Sequence, residues 1–125
     1  MIIADIHKNA SGEITSLTVA DHAGYAEEGK DIICAAASTL VYTAIGSLQR
    51  LCGLKDFYRI VEASDEDSIP FSEIVLTGAA LSDEQRRISQ VILQTVETGF
   101  LQLEESVGED SGNQFIRVTE TTDDK

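Results

Sequence analysis

Residues 31–53 read DIICAAASTLVYTAIGSLQRLCG, and the fold turns on how they are interpreted. The spacing predicts a long helix over 32–52. Asp31 is a good N-cap, because its carboxylate can accept the otherwise unpaired backbone N–H groups of the first turn. Gly53 is suited to the position just past the helix end, where the chain leaves in a left-handed conformation. The interior is apolar nearly all round, with Ile32, Ile33, Leu40, Val41, Ile45, Leu48 and Leu51 interleaved with alanines. A helix without a wide polar face is expected to be buried on more than one side. It is therefore either a central helix or half of a subunit interface.

Working outward, residues 1–7 and 13–20 read as two strands joined by the turn signal Asn9-Ala10-Ser11-Gly12. Beyond the helix, 57–62 and 71–77 read as strands on either side of an acidic loop, Ser64-Asp65-Glu66-Asp67-Ser68. Ser82-Asp83-Glu84-Gln85 fits a capping box and opens a second helix. Its expected apolar stripe is Ile88, Val91, Ile92, Val96, Phe100 and Leu103. Gly99 inside that helix costs about 1 kcal/mol relative to alanine. Residues 114–119 read as a last strand and 120–125 as a polar tail. The order β-β-α-β-β-α-β predicts an α+β fold of two layers, a five-stranded mixed sheet with two long helices. It fits one domain over 1–125, and its two β-β-α units suggest a duplicated layout.

Charge narrows the function. The 125 residues include 22 Asp+Glu against 9 Lys+Arg, a formal charge of −13. Direct nucleic-acid binding needs a cationic stripe to neutralise phosphates, and nine scattered basic residues do not form one. An anionic membrane surface is excluded on the same ground. A basic partner is the complementary expectation, although good solubility is sufficient reason for the charge. Asp5, Lys8 and Glu13 interrupt the first twenty residues, so no signal peptide is expected there. No segment has the roughly 20 uncharged apolar residues of a membrane span. Two cysteines without an export signal point to reduced thiols and a cytoplasmic location.

Cys34 is the most informative residue. With Asp31 as N-cap it would lie in the first helical turn, where unpaired N–H groups and the helix dipole favour thiolate. The negative charge of Asp31 opposes that effect. His22 ends the second predicted strand, separated from Cys34 by eleven residues, and has the pKa suited to take a thiol proton near neutral pH. Cys plus His is the minimal set for a thiol hydrolase. An inert buried cysteine and a loop histidine explain the same residues and are the commoner arrangement. Ser38 lies four residues on, along the same helix face, and a Ser38–His22–Asp31 triad is an alternative. Cys52 is 18 residues beyond Cys34, about 27 Å along an unbroken helix, so the two cannot form a disulfide within one chain. His7, His22 and Cys34 lack the paired spacing of a zinc set, and neither a metal nor any other cofactor is expected.

The stretch from Asp21 to Ser38 resembles the bacterial ribosomal-processing cysteine proteases. The family pattern is Gly-His-Ala, eleven residues to a Cys, then small residues and often Ser. His22, Ala23, Cys34 and Ser38 fall on it, and Gly24-Tyr25 and Gly29-Lys30-Asp31 match the intervening loop. Asp21 stands where the family usually has Gly. The resemblance implies a homodimeric endopeptidase, with Cys34 as nucleophile and His22 as general base. Asp31 and Ser38 would support the site, and 23–30 would form a mobile lid. The implied partner is a basic substrate, large-subunit ribosomal protein twenty-seven, whose short N-terminal extension would be removed after an aromatic residue. The alternative is a non-catalytic acidic dimeric module that holds a basic ribosomal protein.

Overall fold

Strand β1 (Ile2–Lys8) alternates, burying Ile2, Ala4 and Ile6 while Ile3, Asp5 and His7 point to the other face. It turns back into β2 (Ile14–Asp21) through a loop that Asn9 organises. The Asn9 side-chain oxygen accepts the N–H groups of Ser11 at 2.9 Å and Glu13 at 3.0 Å. Gly12 supplies the positive φ, +85°, that the loop requires. In this computed structural model the described residues are 1–21, 30–61, 71–77, 80–107, 109–110 and 113–123.

Helix α1 (Lys30–Cys52) follows, then β3 (Tyr58–Val61), β4 (Phe71–Val75) and α2 (Asp83–Val107). A two-residue pair, β5 (Glu109–Asp110) and β6 (Asn113–Gln114), precedes β7 (Ile116–Thr122). The main sheet has the order β3-β4-β2-β1-β7. Only β1 and β7 run parallel, so the sheet is mixed as expected. The two β-β-α units meet where β2 pairs with β4. Both helices bury apolar residues in one core with the sheet, which gives the two-layer α+β architecture.

Several local expectations hold. Gln85 and Ser82 form the capping box, with the Ser82 N–H donating to Oε1 and the Gln85 N–H donating to Oγ. Gly53 adopts φ +66° and closes α1 by donating to the Gln49 carbonyl at 3.1 Å. Gly99 has a packing reason, since a Cβ there would lie 2.5 Å from Leu40 Cδ2 on α1.

Others are corrected. α1 starts at Lys30, so Asp31 is its second residue rather than its cap. α1 is buried on one face only: Ile33, Ala37, Val41, Ala44, Ile45, Leu48 and Cys52 face the core, while Tyr42 and Leu51 are exposed. On α2, Val91 is exposed and Leu93 is buried. Each residue turns the helix by 100°, so Leu93 falls within the stripe of Ser89, Val96 and Phe100 and Val91 opposite it. The expected tail begins later, because β7 continues to Thr122 against Lys8 of β1. There the strand needs no apolar side chains, since backbone pairing with β1 holds it.

Candidate active site

Cys34 is the fifth residue of α1, one turn in from the helix start. Its backbone N–H therefore lies inside the helical ladder, beyond the unpaired donors of the first turn. The dipole acts on it more weakly than a first-turn position would allow.

The position of Cys34 follows from how α1 meets the sheet. Ile33, Ala37 and Val41 are spaced at helical intervals and are each at most 5% exposed. They belong to the core, and Ala37 and Val41 face Ile2 of β1, Val19 of β2 and Ser72 of β4 across one cavity. Cys34 is then left half-buried at the edge of this contact, lining a small cavity of about 80 Å³. The other walls are Ile2, Val19, Ala37, Ser38, Val41 and Ser72. The thiol thus faces a small, mostly apolar pocket with the hydroxyls of Ser38 and Ser72 on its wall. Among the described residues no cluster of His, Cys, Asp or Glu could hold a metal ion.

The sequence-predicted residues divide into three groups. Cys34 and Ser38 share the cavity. Asp31 lies one turn before Cys34 on α1. His22, Ala23, Gly24 and Gly29 lie outside the described residues, as does most of the expected lid. Sequence reasoning missed Ile2, Val19, Ala37, Val41 and Ser72 as cavity walls. The helical pair Ala37 and Val41 carried a signal, because each shares a face with Cys34 or Ser38. Ser72 carried none, since it arrives through the Val19–Ser72 register between strands distant in sequence.

Cys52, at the other end of α1, is a useful contrast. It is 6% exposed, and its thiol lies 3.8 Å from the Gln85 carbonyl. Burial raises its pKa above the ordinary 9.0, which keeps it protonated and unreactive. The unbroken helix between the two cysteines keeps them apart, and neither is in a disulfide. A larger cavity, about 640 Å³, also lies at that end, lined by Gln49, Gly53, Leu54, Lys55, Asp56 and Tyr58. It holds no nucleophile beside a base, so its size does not make it the site. Among the described residues no helix is long and apolar enough to cross a membrane.

Comparison with known proteins bears on the same site. Residues 1–111 match the family described as cysteine protease Prp. The ribosomal processing cysteine protease Prp of Staphylococcus aureus strain Mu50 is 31% identical over 98 residues, 78% of this chain and 87% of that protein. The crystal structure of SMU.848 from Streptococcus mutans superposes with a TM-score of 0.77 at 25% identity, covering 98% of this chain and 96% of the other. An essential ribosomal processing protease Prp from S. aureus, solved in complex with a substrate peptide, has a TM-score of 0.66 at 26% identity, covering 97% of this chain and 100% of that one. The same S. aureus protease is also known with a covalently linked product peptide.

Proposed function

The chain belongs to the cysteine protease Prp family, and from this premise we propose that Cys34 and His22 form a catalytic dyad that trims the N-terminal extension of large-subunit ribosomal protein twenty-seven. The observation that carries this reading is the half-buried Cys34 on the wall of a small, mostly apolar cavity near the start of α1. Val19 lines that cavity, and His22 follows it by three residues in the chain. The relative from S. aureus that binds a substrate peptide adds weight.

In the proposed reaction His22 takes the Cys34 proton, and the thiolate attacks the carbonyl carbon of the scissile bond. The tetrahedral adduct collapses to a thioester as the leaving amine takes the proton from His22. Water then attacks the thioester, giving up a proton to His22, and a carboxylic acid and the free thiol are released. Asp31, Ser38, Ala23, Gly24 and Gly29 bind substrate or support this site. Because Cys34 lies a full turn inside α1, the dipole alone is a weak activator, and the base carries more of the work. The net charge of −13 draws in a basic ribosomal protein and speeds encounter. The enzyme acts in the cytoplasm, as a homodimer.

The test is mass spectrometry of a peptide carrying the extension, incubated with wild type, Cys34→Ser and His22→Ala. Cleavage by wild type alone is expected. Cleavage at the wild-type rate by Cys34→Ser rules out the proposed nucleophile. Salt-sensitive binding with no cleavage by wild type favours a holding role, the reading that Asp21 in the usual glycine position supports.

A further inference from the structure

The main sheet has two edges, and they are finished differently. On β7 the side facing away from β1 is partly closed, because the Val118 N–H donates to the Glu104 carboxylate at 2.6 Å. On β3 the side facing away from β4 has no strand beside it. The Val75 N–H donates to the Phe57 carbonyl at 2.8 Å. Backbone groups of successive residues on a strand point to opposite sides. Those of Phe57, Arg59 and Val61 therefore face β4, and those of Tyr58 and Ile60 face outward. Among the described residues no backbone group bonds to these outward N–H and C=O groups. The side chains do not screen them either. Arg59, the one charged residue of β3, lies back over the Phe71 ring on β4, 5.3 Å from its centroid. Tyr58 and Val61 leave apolar surface open, at 41% and 48% exposed.

The same strand links two cavities. Tyr58 lines the cavity of about 640 Å³ at the end of α1. Ile60 pairs with Ser72, which shares the smaller cavity with Cys34. α1 makes the matching link from its own side, since Gln49 lines the larger cavity and Ser38 the smaller. Gln49 is eleven residues beyond Ser38, about three turns, so both lie on one flank of the helix. Neighbouring strands are about 4.8 Å apart. A chain laid along the free edge of β3 thus runs about 10 Å from Ser72, two spacings away. An extended chain covers that distance in about three residues.

We propose that the free edge of β3 is an exosite, which takes an extended segment of the substrate as an added strand and seats one of its side chains in the cavity beside Tyr58. The outward N–H and C=O groups of Tyr58 and Ile60 supply the main-chain bonds. The occupant is a peptide because a backbone offers donors and acceptors at the spacing of this edge, and the edge leads to the cavity that holds Cys34. Apolar side chains on the segment cover Tyr58 and Val61. The segment lies about three residues or more from the scissile bond, so it contributes binding and takes no part in the chemistry. It lets the enzyme read sequence that the small Cys34 cavity does not touch. This rests on the protease reading above and adds where the substrate is held away from the reacting bond.

The experiment is fluorescence anisotropy of a labelled peptide carrying the extension, titrated with the Cys34→Ser protein. Tyr58→Pro removes one outward N–H and no bond to β4, whereas Tyr58→Ala keeps that N–H and removes only the ring. Added to Cys34→Ser, with circular dichroism to confirm the fold, the proline should raise the dissociation constant roughly fivefold above that of the alanine variant. A second reading leaves the protein unchanged: the peptide is N-methylated at single amides about three to seven residues from the scissile bond. Weakening at every second amide is expected, because alternate residues face the edge. Equal affinities for a folded proline variant and the alanine variant, or weakening without the two-residue period, overturn the exosite. If wild type does not cleave the peptide, the protease reading fails, and the anisotropy still decides the exosite. A Tyr58→Pro change in the sedimentation of the protein alone, with peptide binding untouched, gives the edge to a second copy and overturns the proposal.

Discussion

The two helices lie side by side on the sheet, yet they are attached to the rest of the molecule by different forces. α2 combines an apolar stripe with directed polar ties. Gln90 donates to and accepts from the backbone of Ile14 at 2.8 and 2.7 Å. Glu104 accepts the Val118 N–H, and Glu97 pairs with Lys8 at 3.2 Å. Gln85 completes the α2 cap and also donates to the Cys52 carbonyl at 2.8 Å, satisfying an acceptor at the end of α1. α1, the helix that carries Cys34, is seated by the fit of Ile33, Ala37, Val41, Ala44, Ile45 and Leu48. Directed bonds fix register, whereas apolar contact fixes position through shape. Cys34 is thus held by packing, and the neighbouring helix supplies the anchors.

Core truncation should strike hardest at the packing-held helix. Leu48→Ala, at a position with no exposed surface, is expected to cost about 2–5 kcal/mol in urea unfolding. A loss below about 1 kcal/mol contradicts the claim that shape seats α1. The next effect separates the two ends of that helix. At neutral pH in the native protein, Cys34 should react with iodoacetamide about a hundredfold faster than Cys52, read by peptide mapping. Equal rates would mean that burial at Cys52 does not protect the thiol. Removing one polar anchor should be milder. Gln90→Ala strands the Ile14 N–H and carbonyl, and a loss of about 1–3 kcal/mol is expected by the same unfolding measurement; no loss would reduce the α2 ties to decoration.

The smallest effect is alkaline. Burial lowers the Lys8 pKa, but the hydrogen bonds and charges of Glu97 and Glu120 outweigh it, and the net shift is upward from 10.5. Cys52 is shifted upward from 9.0 by burial. In both cases the unfolded chain gives up its proton first, so the stability they contribute is complete below pH 9.0. It should fall as pH rises through 9.0 for Cys52 and through 10.5 for Lys8. A thermal midpoint that stays level or rises across this range contradicts both shifts.

Much of the fold was legible in local pattern. Alternation in Ile2–Lys8, the Asn9 turn, the Ser82–Gln85 box and Gly53 each encode structure within a few neighbouring residues, and each formed. Two of the errors show what local pattern lacks. Val91 was placed in the stripe because it is apolar, whereas helical geometry favours Leu93. The tail was read as irregular from Glu120 onward because polar residues carry no periodic signal, yet pairing with β1 extends β7 to Thr122.

The candidate site divides along the same line. Sequence alone identified Cys34 and Ser38, because their spacing on one helix fixes their common face. Its family resemblance pointed to the cysteine protease class, and the family match bears that out. Tertiary structure decided what stands opposite the thiol. Val19 and Ser72 reach the cavity only because β2 pairs with β4 in one register, between strands about fifty residues apart in the chain. Local chemistry is written in adjacent residues, whereas a pocket is assembled from distant ones, and burial and strand pairing choose which of those meet.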